Sequence, residues 1–597
     1  MMRARISALA AALALAACAG HEATPAGEVV FTLRAHTWFE DGWSFFDVAP
    51  DAAHAVFGAR FGRRLFDLRS GREDAHALAD SMERVAAALY GPDGALWRRG
   101  THDGVEGWYR SGPDGPEHAD LPADAAPSFS ADGAQVAYYR GTAGSGPELF
   151  VGFGAEPTPV DLDGLVTGVG WAPDASAVYA MVFRDDGTSA LYRVTPDGED
   201  ARLVRGGLDA TARFNALAFS PDGGSVYLSL VGTGPPDPEA RHRPDADRDL
   251  DLYRLELSDG PLRPVVTEEG DDFRPQIVGG ELYWTHNVYH DDVAVLPVEG
   301  GVPRDIVADG QIPYWSNDGR RLAYTVGGWK LADWALNMDA DVVGMDPATA
   351  TVVSAARPIV TGYHEDFTPA WSPDGRWIAY HSHRSARPVA HYFASGAADD
   401  IWLRRPDAPM SEEIRVTDFG WEVGMADWSP DGTRLVFDSW DRGGPGGVSH
   451  PWIATIDPET GRPLKVERLP LPEGFGGTVL ESWSPVDDEI AVVQEVADGR
   501  HALWVVRADG SGARRVVEYP SATYGGVDWT PDGRRLLYGA LADGRMQIFS
   551  VDAAGGEPVR LSDGPDDYVH PQVSPDGRWI AVTHMRHDKE VRKIALP

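Results

Sequence analysis

Trp428-Ser429-Pro430-Asp431-Gly432, followed at once by the apolar run Leu435-Val436-Phe437, is the stretch that decides the fold. Proline presets φ at the first central position of a turn, aspartate bonds to nearby backbone, and glycine accepts the positive φ that returns the chain to a strand. The phrase is therefore a hairpin tip. It recurs at Phe219-Ser220-Pro221-Asp222-Gly223, Trp371-Ser372-Pro373-Asp374-Gly375, Trp529-Thr530-Pro531-Asp532-Gly533 and Val573-Ser574-Pro575-Asp576-Gly577. Weaker copies stand at Phe129-Ser130-Ala131-Asp132-Gly133, Trp171-Ala172-Pro173-Asp174 and Trp315-Ser316-Asn317-Asp318-Gly319. A spacing of roughly 40 to 57 residues is the period of a solenoid, propeller or array.

Each phrase leads into an alternating apolar strand, as in Trp377-Ile378-Ala379-Tyr380 and Trp579-Ile580-Ala581-Val582. A third strand follows, for example Asp400-Ile401-Trp402-Leu403, and a poorer fourth closes the unit, as at Ile414-Arg415-Val416-Thr417. Four short antiparallel strands make a propeller blade, which buries its faces only against neighbouring blades and so must recur around a ring. The fold class expected is all-β, tandem β-propellers.

The repeats resemble those of TolB, and of the non-catalytic propellers that accompany prolyl-oligopeptidase-like and tricorn-like proteases. The resemblance implies a fold more than a task, because this propeller type hosts adaptors, peptidase gates and lyases alike. Degenerate copies near Pro50-Asp51, Pro92-Asp93-Gly94, Phe273-Arg274-Pro275 and Trp483-Ser484-Pro485 raise the count to about twelve blades, where propellers usually have four to eight. Two rings of six, 28–310 and 311–597, are the simplest division, with five plus seven as its rival. A strand from Glu28 to Leu33 is available for ring closure. Leu78, Met82, Val85 and Leu89 would share one face of a helix, but the blade period around them argues for strand.

The first 18 residues read as an export signal: Arg3 and Arg5, an apolar run from Ile6 to Ala17, then Leu15-Ala16-Ala17-Cys18. The ending resembles a bacterial lipobox, which implies lipidation at Cys18; cleavage after Ala19 by an ordinary leader rule is the alternative. Ala19 is not the aspartate of an inner-membrane retention signal, so an outer-membrane lipoprotein facing the periplasm or cell surface is expected. Cys18 is the only cysteine, so no intrachain disulfide contributes. The net charge is −38, and the only lysines are Lys330, Lys465, Lys589 and Lys593. Such a chain repels phosphate backbones, which argues against nucleic acid and favours cations and basic partners.

No Gly-x-Ser-x-Gly elbow, P-loop, dinucleotide fingerprint or His-Glu-x-x-His motif occurs. Two constellations remain. Asp245, Asp247, Asp249 and Asp251 alternate in an insertion, with Glu256 where a calcium loop has its bidentate acid, although Leu250 takes the glycine position. Calcium is the one cofactor expected, against a solvated acidic loop. Among many histidines, His364, His381, His383 and His570 fall near channel-lining edges and would suit a transition metal, against ordinary rim histidines. Trp371, Trp428 and Trp529 read as blade core. The leading functional expectation is a lipid-anchored, non-catalytic propeller binding a protein or peptide. Its rivals are a metal-dependent lyase or hydrolase acting on extracellular polysaccharide or peptide, and a structural subunit of a surface assembly.

Overall fold

The repeated turn phrase closes in the computed structural model as the sequence predicts. The Ser220 hydroxyl donates to Asp222 Oδ1 at 2.6 Å and accepts from the Ser225 N–H at 2.9 Å, while Gly224 N–H reaches the same carboxylate oxygen at 3.0 Å. Gly223 sits at φ +68°, a conformation that glycine adopts without steric cost. Ser372, Ser429, Thr530 and Ser574 repeat the hydroxyl-to-aspartate bond. Ser220 and the Gly224 N–H hold the Asp222 carboxyl below its usual range.

The structure describes residues 27–596 apart from 36–45, 60–61, 68–71, 75–81, 83, 114, 143–145, 155, 185, 211–214, 233–248, 328–337, 362–365, 383–399, 410–411, 420–422, 441–448, 473–474, 476, 498–499 and 522–524. Residues 1–26, with Cys18 and the stretch read as an export signal, lie outside the described residues. Among the described residues there is no α-helix; Arg84–Tyr90, where a helix competed in the sequence, is a strand. No helix is long and apolar enough to cross a membrane.

Among the described residues ten antiparallel sheets succeed one another along the chain, at 46–74, 84–118, 126–160, 165–208 and 218–266, then at 310–360, 366–415, 423–468, 478–520 and 527–560. Nine have four strands, and the sheet at 310–360 carries a fifth short one. An eleventh sheet is shared. Its two central strands, Glu281–Pro297 and Trp579–Ala595, are each 17 residues long and pair antiparallel over their whole length. Asp271–Val278 and Glu28–Ala35 flank one end of this pair, and Asp567–Val573 with Arg304–Val307 flank the other.

Each end thus completes a four-stranded blade, and each ring has six. In the first ring the shared blade packs Leu282 and Trp284 against Tyr227 and Leu252 on one side, and Tyr283 and Val591 against Val48 and Ala55 on the other. In the second ring Ile580 and Val582 meet Leu537 and Ile548, while Val293 and Val295 meet Trp315 and Tyr324. The boundary near 310 needs correction on this point. Gly310–Trp315 does begin a blade, but the final strand belongs to both rings, so no single cut in the chain separates them. The closing strand at 28–33 runs on to Ala35 and pairs with 587–593.

Candidate functional site on the axis of the second ring

In five of the six second-ring blades the innermost strand carries a bulge. Register shifts fall between Gln311 and Tyr314, Phe367 and Ala370, Val423 and Ala426, Val479 and Glu481, and Val569 and Gln572. Ile312, Thr368, Leu480 and His570 there adopt positive φ between 51° and 59°, and Gly526 holds the same column at 77°. A non-glycine residue in this region costs on the order of 1–3 kcal/mol and persists only where its surroundings impose it. Here the preceding blade imposes it: Thr583 Oγ1 accepts Ile312 N–H at 2.8 Å, Thr325 Oγ1 accepts Thr368 N–H at 2.9 Å, and the Gly525 carbonyl accepts His570 N–H at 2.7 Å. Proline follows the bulge in three blades, at Pro313, Pro369 and Pro571, where a missing ladder N–H is tolerated.

Two residues further along, a side chain reaches forward. Asp427 Oδ2 accepts the N–H of Trp483 in the next blade at 2.8 Å, and Asp528 Oδ2 accepts that of Val573 at 2.7 Å. The first ring does the same, with Asp47 capping Tyr90 N–H and Gln276 Oε1 capping Val48 N–H at 2.8 Å. The phrase tryptophans reach backward: the indole N–H of Trp428 donates to the Ala370 carbonyl and that of Trp529 to the Ser482 carbonyl. Trp371, Trp428 and Trp529 are buried, as blade-core residues should be. The blades are stitched in both directions by polar groups, the forward ones standing immediately before the phrase tryptophan in Asp427-Trp428 and Asp528-Trp529.

These inner strands enclose a small cavity on the ring axis. Its wall includes Tyr314, Met425, Asp427, Glu481, Asp528's neighbour Val527, and His570. At about 60 Å³ it has room for roughly four waters. Asp427 also accepts from the Tyr314 hydroxyl and, at 3.1 Å, from the Ser482 hydroxyl. Burial raises the Asp427 carboxyl above its usual range, and burial with the like charge of Asp427 pushes Asp528 up to about 8. Glu481, the third carboxyl at this level, is raised well above its ordinary value by burial and by Asp438 on the adjoining blade.

The histidines expected to hold a transition metal fare unevenly. His364 and His383 lie outside the described residues. His570 sits inside the strand Asp567–Val573 rather than ahead of it, on the cavity wall, with Nδ1 3.3 Å from Thr583 Oγ1. His381 is buried against Phe367 and its Nδ1 lies 3.0 Å from the Val423 carbonyl; it is not among the residues lining that cavity. Of the aspartate quartet, Asp245 and Asp247 lie outside the described residues. The Asp249 carboxylate accepts Gly270 N–H at 2.9 Å, and Asp251 accepts the Tyr253 hydroxyl at 3.3 Å. Glu256 ends a strand paired with Ser225.

A different grouping appears in the shared sheet, where Asp292, Asp305 and His584 bring ligand atoms within 4.8 Å of one another. Nothing in the sequence joins His584 to acids so distant along the chain. His584 Nδ1 is 2.7 Å from Asp305 and its Nε2 is 3.2 Å from Asp566, while Arg586 pairs with Asp292 and Asp305. The arginine already supplies the positive charge that a metal would bring, so the grouping is an ion-pair network within the shared blade.

Residues 465–596 match the family model described as the TolB beta propeller domain, PD40. Over that span the repeats are TolB-like β-propeller repeats. An uncharacterised protein of Agrobacterium fabrum is 31% identical over 26% of this chain and 47% of its own length. The uncharacterised peptidase YuxL of Bacillus subtilis is 26% identical over 36% of this chain and 28% of its own. The chain thus spans less than half the length of the curated relatives it matches. A TolB structure from Agrobacterium tumefaciens aligns with 50% of this chain and 99% of its own, at 18% identity and a TM-score of 0.37.

Proposed function

We propose that this chain is an exported, lipid-anchored TolB-like propeller protein that binds a partner protein or peptide at the rims and axial mouths of its rings, without catalysis of its own. The observation that carries this reading is how the second-ring axis is used. Its inner-strand carboxyls Asp427 and Asp528 cap the next blade's backbone, and the space between the strands is about 60 Å³, well below the several hundred of a ligand pocket. Groups committed to holding blades together are poorly placed to act on a substrate. The TolB-like repeat supports the same reading, since propeller rims present many loops around one surface.

Native purification from membranes tests it. The expected result is a stoichiometric protein partner that survives high-salt washing, with the anchor supplied through Cys18. Tightly bound manganese, zinc or iron in the purified protein, together with cleavage of a polysaccharide or peptide, would replace this reading with the metal-dependent enzyme.

A further inference from the structure

In the second ring, arginines cover phrase tryptophans of the next blade. The Arg321 guanidinium lies 4.2 Å from the ring centre of Trp371, and that of Arg434 lies 4.6 Å from Trp483. Each arginine stands at the same place in its own blade, just after the phrase that opens at Trp315 or Trp428. In the first ring the phrases that open at Val48, Tyr90, Phe129, Trp171 and Phe219 carry His54, Leu96, Gln135, Ala177 and Ser225 there, none of them a guanidinium. Trp171 and Phe219 are buried all the same, but Phe129, which follows the blade of Leu96, stays half-buried.

Phe129 is the middle of an aromatic row on the face formed by the phrase turns. Trp97 of the preceding blade lies 4.4 Å from it, centre to centre. Phe153, in the turn between the strands Gly146–Val151 and Thr158–Val160, stacks with it at 6.4 Å and an interplanar angle of 23°. Trp97 is half-buried and Phe153 is 40% exposed. A lone exposed apolar side chain needs no partner, whereas contiguous exposed rings mark a surface that another molecule covers. Carboxylates edge this row. Asp132 is exposed, and the Ser130 hydroxyl at 2.6 Å and the Ala134 N–H at 3.0 Å hold its carboxyl below the usual range without help from a cation. Beside Phe153, Asp120 Oδ2 lies 3.4 Å from the point where a Cβ on Gly154 would stand. At the Trp97 end, Asp93 is paired with Arg110.

We infer that the row Trp97, Phe129 and Phe153 binds an arginine side chain of the partner, which lies over the rings as Arg321 lies over Trp371, with Asp120 and Asp132 as its carboxylates. This rests on the reading above that the partner is a protein or peptide. The chemistry of the surface selects the occupant. A guanidinium is planar and weakly hydrated, so it stacks on aromatic faces while its five N–H donors stay free at the edge for carboxylates. An ammonium is a compact, strongly hydrated charge and gains less from a flat row. An anionic membrane surface would meet exposed acids of its own sign. The net charge of −38 draws a basic segment toward the ring before contact.

The test uses the full-length protein with two probes, acetyl-Gly-Arg-Gly-Arg-Gly-amide and the same peptide with citrulline in place of both arginines, titrated by calorimetry at low salt. The expected result is saturable binding of the first, at least tenfold tighter than the second. Phe153→Ala removes an exposed ring and no charge, and should weaken the arginine peptide at least threefold. Asp120→Asn should weaken it as well, whereas Leu464→Ala, at an exposed apolar residue of the second ring, should leave it unchanged. Equal binding by wild type and Phe153→Ala would mean that the acidic surface holds the peptide by charge alone, and overturns the aromatic site while leaving partner binding intact. Equal binding of the two peptides overturns it too. Sedimentation with phosphatidylglycerol vesicles that Phe153→Ala abolishes would reassign the row to a membrane surface. If neither peptide binds, the inference fails, and partner binding is judged separately by co-purification.

Discussion

Replacing Asp528 with asparagine should stabilise this protein increasingly as pH rises. Burial pushes the carboxyl up to about 8 in the folded chain, whereas an aspartate in the unfolded chain titrates near 4. A group whose folded value is raised contributes stability that is fully present below about pH 4 and is lost progressively until about pH 8. Within that window each pH unit is worth at most about 1.4 kcal/mol, so between pH 5 and pH 7 the wild type should lose up to about 3 kcal/mol relative to a variant that cannot ionise. Asparagine keeps an oxygen for the Val573 N–H, which now lies 2.7 Å from Oδ2. Alanine does not, and leaving that amide unsatisfied should cost about 1–3 kcal/mol at every pH. Urea unfolding at pH 5, 6 and 7, read by tryptophan fluorescence, measures both variants against wild type. A stability difference between asparagine and wild type that stays constant across the three pH values would refute the reasoning, and would mean that Asp528 is ionised in the folded ring throughout.

Trp428→Ala should cost about 3–5 kcal/mol, from the cavity left between the 366–415 and 423–468 blades and from the lost bond to the Ala370 carbonyl, measurable as a lowered urea midpoint. Removal of residues 588–597 deletes the half of the final strand that pairs with Glu28–Arg34 and Glu281–Val288, so calorimetry should show the first ring destabilised and the second, which holds Trp579 to Met585, retained. Cys18→Ser should release the protein from the membrane fraction; continued sedimentation with membranes would count against the anchor. If the Asp245, Asp247, Asp249 and Asp251 insertion binds calcium, a hundredfold excess over Kd should add about 2.7 kcal/mol to stability, and Asp247→Ala or Asp249→Ala should abolish that shift.

By itself the sequence determined the blade. Ser-Pro-Asp-Gly with its following aromatic alternation specifies a turn and two strands through contacts made within about ten residues, and local contacts of that kind are written in the order of residue types. Burial of Trp371, Trp428 and Trp529 was legible for the same reason. The number of rings followed from the period and from the packing limit on blades around one axis. What only the tertiary structure decided is how the rings are joined. Leu296 pairs with Ile580 and Tyr283 with Lys593, positions that nothing in the local pattern links. The site was legible only in part. His570 could be placed near the axis from its position ahead of a phrase, but the acids Asp427, Asp528 and Glu481 read as ordinary strand residues. Their character depends on which backbone N–H of the neighbouring blade each one faces, and on whether, as at Glu481, it faces none. That is a property of blade-to-blade geometry, which brings together residues from different repeats that the one-dimensional pattern keeps apart.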